Sequence, residues 1–108
     1  MVSTRDVIIR TNRLESAKAF YQNVMGFELF EQTERLLGFE TGSFRLFVEA
    51  GSAHGAVFDF VVDDISDAKM QLVEHGCSVE EENPSVPRLY LRDPFGLVFN
   101  ITDGDGLD

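Results

Sequence analysis

One pattern written twice constrains this 108-residue chain more than any other feature. Residues 6–11, DVIIRT, form a β-branched run that reads as a strand. Leu14, Ala17, Tyr21 and Val24 follow at helical intervals, with Phe20 and Met25 beside them. Asn12 and Glu15 have capping-box spacing, and Gly26 stands where a left-handed C-terminal residue belongs. The spacing predicts a helix over 14–25, with Phe20, Tyr21, Met25 and Phe27 in the core. Residues 27–33, 35–41 and 44–50 then read as three short strands. The order restarts with a strand at 57–64 and a helix opened by Asp64 and Asp67, carrying Ile65, Ala68, Leu72 and His75 and stopped by Gly76. Strands at 77–82, 88–93 and 97–103 complete it. Leu14 and Ile65, Ala17-Lys18 and Ala68-Lys69, and Asp6 and Val57 are each 51 apart, and Gly26 and Gly76 are 50 apart. A register shared over strand and helix is the mark of an internal duplication.

The fold this dictates is α+β: two tandem βαβββ modules, at about 4–51 and 55–104, in one domain spanning 1–108. Each helix covers one face of its small sheet. Curled towards each other, the two sheets are expected to enclose a cleft, with alternate strand residues pointing into it. Inward placement of Asp6 brings Ile8 and Arg10 with it. The fourth strand offers Arg45, Phe47 and Glu49. The fifth offers Val57, Asp59 and Val61, and the eighth Val98, Asn100 and Thr102. These rows supply the candidate ligand-binding residues: Asp6, Ile8, Arg10, Arg45, Phe47, Glu49, Val57, Asp59, Val98 and Asn100. Asp is a poor strand former, so Asp59 marks a polar cavity or a solvent-facing row. Phe47 either stacks on a planar ligand or packs in the core.

Charge narrows the partners. Nine basic against 19 acidic side chains give −10, which disfavours nucleic acid and an anionic membrane surface. The imbalance sits in residues 55–108, with 3 basic and 12 acidic side chains, including Asp103, Asp105 and Asp108 near the end. It describes a solvated face or a field that attracts cations. No apolar run approaches the roughly 18 residues of a membrane span, and MVSTRD has no secretory apolar region, so a cytoplasmic protein is expected. The single cysteine, Cys77, excludes an internal disulfide and reads as a buried thiol. Glu80-Glu81-Glu82 suits an edge strand, where charge deters pairing with another chain. His54 reads as a solvated loop residue, and 83–87, NPSVP, as a loop rimming the cleft mouth.

Three features in this order resemble the glyoxalase/bleomycin-resistance/extradiol-dioxygenase superfamily, the vicinal oxygen chelate proteins. They are the first strand followed by Leu14-Glu15-Ser16, Phe20-Tyr21 and Gly26-Phe27; the mid-chain strand VFDFVVDD followed by a helix; and Asp93-Pro94-Phe95-Gly96 between the last two strands. The resemblance covers about residues 4–103. In metal-using members it implies His or Gln at the start of the first strand, His at the start of the fifth and Glu in the eighth, some adding a Glu in the fourth. Here those positions carry Asp6, Val57 and Asn100, with Phe47 in the fourth strand. Valine has no lone pair to give, so no metal, cofactor or catalytic residue is expected. Arg10 falls where glyoxalase-like members often hold a substrate carboxylate; alternatively it pairs with Asp6, Asp59 or Glu49. The expectation is a metal-free small-molecule-binding protein of the bleomycin-resistance kind, a homodimer that sequesters a cationic or aromatic ligand. The alternative is a metal-dependent lyase or dioxygenase-type enzyme with an altered ligand set.

Overall fold

A computed structural model describes residues 1–104; Asp105 and Asp108 of the acidic end lie outside the described residues. The chain resolves into two compact units, one of Arg5–Ala56 and one of Met1–Thr4 with the residues from Val57 onward. Each is a four-stranded sheet carrying one helix, and the α+β class with two βαβββ repeats is the one the sequence predicts.

In the first unit the strands are β1 (Val2–Thr11), β2 (Glu28–Gln32), β3 (Leu36–Glu40) and β4 (Arg45–Ala50), in the order β2-β3-β4-β1. β1 runs parallel to β4, and β2, β3 and β4 are antiparallel neighbours. Strand alternation sends Leu37, Phe39, Leu46 and Val48 to one face, where Ile9, Leu14, Ala17, Tyr21, Phe27 and Leu29 close over them. Each large apolar side chain so buried contributes roughly 1.5–3 kcal/mol. α1 (Leu14–Ala19) supplies the covering stripe.

Two expectations for this helix need correcting. The capping box does not form. Arg13 is the N-cap residue and makes no side-chain cap bond, so Glu15 falls one position too early. Thr11 Oγ1 instead accepts the Arg13 N–H at 3.1 Å. The second half of the helix, Phe20–Val24, is a π-helical turn, with the Met25 N–H donating to the Phe20 carbonyl at 3.1 Å. A wider turn breaks the 3.6-residue period. Phe20 and Met25 are therefore exposed rather than core, while Tyr21 stacks on Phe27 and leans on Phe39. Gly26 ends the segment at φ 73° as expected.

The second unit repeats the plan with β5 (His54–Val61), β6 (Ser78–Asn83), β7 (Arg88–Arg92) and β8 (Val98–Thr102), in the order β5-β8-β7-β6. Its core is Val62, Cys77, Leu89, Leu91, Phe99 and Ile101 under Ile65, Ala68 and Leu72 of α2 (Ile65–Glu74). Here the cap works: Asp64 accepts the Asp67 N–H at 2.9 Å. Burial raises the Cys77 thiol pKa, with Asp93 adding to the effect. β5 starts earlier than expected, so His54 is a half-buried strand residue, its Nδ1 2.8 Å from the Gly55 carbonyl oxygen. The Asp93 carboxylate accepts the Phe95 and Leu97 N–H groups, both at 2.9 Å, and Gly96 takes φ 104°, which fixes the last turn. β6 ends its sheet, and each of its glutamates is matched: Glu80 by Arg92, Glu81 by Arg88 and Glu82 by Lys69.

The two ladders share one register. Ile8, Phe47, Gly38 and Glu31 lie side by side across the first sheet, and Asp59, Asn100, Tyr90 and Glu81 across the second. Even the irregularity recurs, between Leu29 and Glu31 in β2 and between Val79 and Glu81 in β6.

Candidate functional site

The helix-free face of the first sheet gathers six of the candidate residues. β1 and β4 pair Asp6 with Arg45, Ile8 with Phe47 and Arg10 with Glu49, so alternation presents the set as three adjacent rungs. In the first rung Arg45 Nε donates to Asp6 Oδ1 at 2.7 Å, with 35 % and 19 % of the side chains exposed. In the third, Arg10 Nε donates to Glu49 Oε1 at 2.9 Å. Of the partners the sequence left open for Arg10, Glu49 is thus one the structure shows. The Asp6 hydrogen bond raises the Arg45 pKa further above its ordinary value, and the fields of Asp6, Glu40 and Glu31 act the same way.

Between these ion pairs lies an aromatic shelf. The Phe30 and Phe47 rings meet edge to face at 5.7 Å, and the Arg45 guanidinium carbon stands 5.9 Å from one centroid and 5.6 Å from the other. This is cation–π geometry on both rings. Phe30 is 43 % exposed. Gly38, in the next strand, makes the arrangement possible. A Cβ there would lie 2.9 Å from Phe30 Cζ and 3.1 Å from Phe47 Cε1. Sequence reading missed Phe30 and Gly38 because it searched only the central strands. The signal was present in β2, where Leu29 and Phe30 must face opposite ways.

The corresponding face of the second sheet holds the other four candidates in a different state. Asp59 is buried. Its Oδ2 accepts from Thr4 Oγ1 at 3.0 Å and its Oδ1 from Asn100 Nδ2 at 2.9 Å. Asn100 Oδ1 in turn accepts the Leu89 N–H at 3.0 Å. Of the two placements the sequence offered Asp59, this is the interior polar one rather than a solvent-facing row. A buried polar network of this kind is stable because its groups satisfy one another. Val57 is almost wholly buried and Val98 partly so. Of the segment 83–87 expected to rim a cleft mouth, Asn83 belongs to β6, and the turn at 84–87 instead contributes Pro84 and Pro87 to a cavity of about 220 Å³ beside Ile65 of α2, on the helix side of its sheet.

These donors do not fit a divalent ion. Val57 offers no lone pair, Asn100 spends its amide oxygen on the backbone of Leu89, and the Asp6 carboxylate is held by Arg45. Among the described residues, no three His, Cys, Asp or Glu side chains come together as a metal-holding group.

The matching ladders, the paired helices and the Asp93-Pro94-Phe95-Gly96 turn define a duplicated βαβββ protein. A family model for the Glyoxalase/Bleomycin resistance protein/Dioxygenase superfamily matches residues 5–101, and the chain belongs to that superfamily. Solved structures agree on the fold. A superfamily member from Vibrio splendidus is 16 % identical over 93 % of this chain and 97 % of its own, with a TM-score of 0.61. A hypothetical protein from Bacillus halodurans is 12 % identical over 93 % and 92 %, at 0.64. A homoprotocatechuate 2,3-dioxygenase variant from B. fuscum is 17 % identical over 99 % of this chain and 34 % of its own, at 0.59. No curated protein matches. No helix among the described residues is long and apolar enough to cross a membrane.

Proposed function

We propose that the chain is a metal-free binding protein that holds a planar, cationic or aromatic small molecule on the Phe30–Phe47 shelf and works as a homodimer. The observation that carries this is the seat of Arg45. A planar, delocalised cation already lies over both rings, tied at its edge to a carboxylate. A ligand of the same shape and charge meets the same quadrupoles and the acidic side chains of Asp6 and Glu49. The −10 net charge favours the approach of such a ligand. Ile8 supplies apolar contact on the central rung, and Arg10 holds Glu49 in place. Asp59 and Asn100 serve the framework.

The test is thermal denaturation with 9-aminoacridine as a planar cation and acridine as its more weakly basic analogue. A ligand at 100 times its Kd stabilises by about 2.7 kcal/mol, a shift of several degrees in a domain of this size. The shift is expected for the cation and lost in Phe47→Ala. An equal shift in that variant, or none across a broad panel of planar heterocycles, overturns the reading. Stoichiometric zinc, nickel, manganese or iron after chelator-free purification overturns its metal-free part and favours the enzyme alternative. Sedimentation as a monomer at about 50 μM, well above the Kd of a stable dimer, removes the homodimer.

A further inference from the structure

A second groove lies on the opposite, helix-bearing side of the first unit. It is an open groove of about 410 Å³ between the end of β1 and the first helix, and its walls include Ile9, Thr11, Arg13, Ala17, Phe20 and Tyr21. Three independent features converge on it. Phe20 and Tyr21 meet edge to face at 5.4 Å, and Phe20 is 47 % exposed, so an aromatic wall faces open space. Arg13 is the second. The other arginines each reach a carboxylate or carbonyl oxygen: Arg5 to Glu40, Arg10 to Glu49, Arg35 to the Ala50 carbonyl, Arg45 to Asp6, Arg88 to Glu81 and Arg92 to Glu80. The Arg13 guanidinium reaches none among the described residues. Among the described residues that leaves its positive charge without an oxygen partner.

The third feature comes from the repeat. The position equivalent to Arg13 is Asp64, which caps its helix, and the helix it opens stays regular to Glu74. The first unit forgoes the stabilising cap and replaces the regular second half with a π-helical turn. Both departures adjoin the same groove. Departures from local preference that gather in one place point to function there, and π-helical turns are frequent at such places.

We infer that this groove is a ligand site distinct from the shelf, and that it takes an aromatic carboxylate: the ring against Phe20 and Tyr21, the carboxylate on Arg13, and the Thr11 and Ser16 hydroxyls beside it. A guanidinium fork matches a carboxylate's two oxygens, and the aromatic wall rewards a flat body. The inference stands whether or not the shelf binds a cation, because the two sites select opposite charge.

The test uses 2-naphthoate and the uncharged 2-naphthamide against the full chain, followed by amide chemical shifts. The expected result is saturable binding of 2-naphthoate, with shifts gathered at residues 9–21. Binding falls about tenfold or more in Arg13→Gln and in Phe20→Ala, and 2-naphthamide binds at least tenfold more weakly than the acid. Both substitutions are at exposed positions, and unchanged amide spectra elsewhere show that the variants fold. Undiminished binding in Arg13→Gln, equal affinity for acid and amide, shifts confined to Phe30, Arg45 and Phe47, or no shift at millimolar ligand each overturns the inference.

Discussion

At the middle of its helix-free face the first unit places Ile8 beside Phe47, with the Asp6–Arg45 and Arg10–Glu49 ion pairs on either side. The second unit has the same ladder and the inverse chemistry. Asp59 and Asn100 sit at the middle, with Val57 and Val98 on one side and Val61 and Thr102 on the other. The first arrangement leaves aromatic surface half exposed between two ion pairs. The second closes a polar pair inside the protein, where each group consumes its neighbour's hydrogen-bonding capacity. A shared backbone register therefore fixes where side chains stand and leaves open whether they receive a guest or hold the sheet together.

The contrast is sharpest at its centre. Asp59→Ala is expected to cost about 2–3 kcal/mol in urea denaturation, because Thr4 Oγ1 and the Asn100 amide lose a buried acceptor. Asp6→Ala, at the position equivalent to Val57, removes a partly exposed ion pair and is expected to cost under about 1 kcal/mol. If the two losses come out equal, the division between framework and binding face fails. Gly38→Ala comes next. A methyl group 2.9 Å from Phe30 and 3.1 Å from Phe47 must displace the shelf, with an expected loss of roughly 1–2 kcal/mol together with the shelf's affinity for 9-aminoacridine. Full stability and unchanged affinity would mean that the rings move aside freely.

The helix entries give a smaller difference. Asp64→Ala removes a cap and should destabilise by about 1 kcal/mol, whereas Arg13→Ala removes none and should fall within about 0.5 kcal/mol of wild type. Comparable losses would show that Arg13 has a structural partner. The smallest effect concerns Glu40. Its hydrogen bonds with Arg5 first, and with the Gly42 N–H next, lower its pKa below the ordinary value of 4.5. A depressed folded-state pKa means that this contribution is present above about pH 4.5 and fades as pH falls through the lower folded value. Carboxyl NMR titration should place the Glu40 midpoint below that of exposed glutamates, and Arg5→Gln should bring it back up. No movement in that variant assigns the shift to the backbone donors instead.

The fold was legible because repetition and strand alternation are properties of residue order. Spacings of 50 and 51 residues located both modules, and period-2 reading put Asp6, Ile8 and Arg10 on one face and Arg45, Phe47 and Glu49 beside them. The site was legible only in part, because partner choice depends on distances across strands. Nothing in the order of residues says that Arg45 leans over Phe30, or that Asn100 binds the backbone of Leu89. The failed capping box has the same origin: Asn12 and Glu15 have the right spacing, but Thr11 takes the Arg13 N–H and Arg13, not Asn12, stands at the N-cap. The outward turn of Phe20 and Met25 was hidden because a π-helical turn has no compositional signature.

Because the two ladders coincide rung for rung, down to the irregularity after Leu29 and after Val79, their side chains are interchangeable parts on one lattice. Val98→Arg with Val57→Asp would write the Asp6–Arg45 rung into the other repeat, and Phe47→Asn with Ile8→Asp would carry the reverse cargo. Divergence after such a duplication needs no new backbone. A few substitutions would move a charged rung or a buried polar pair from one repeat to the other, and the chain carries both arrangements side by side in sequence.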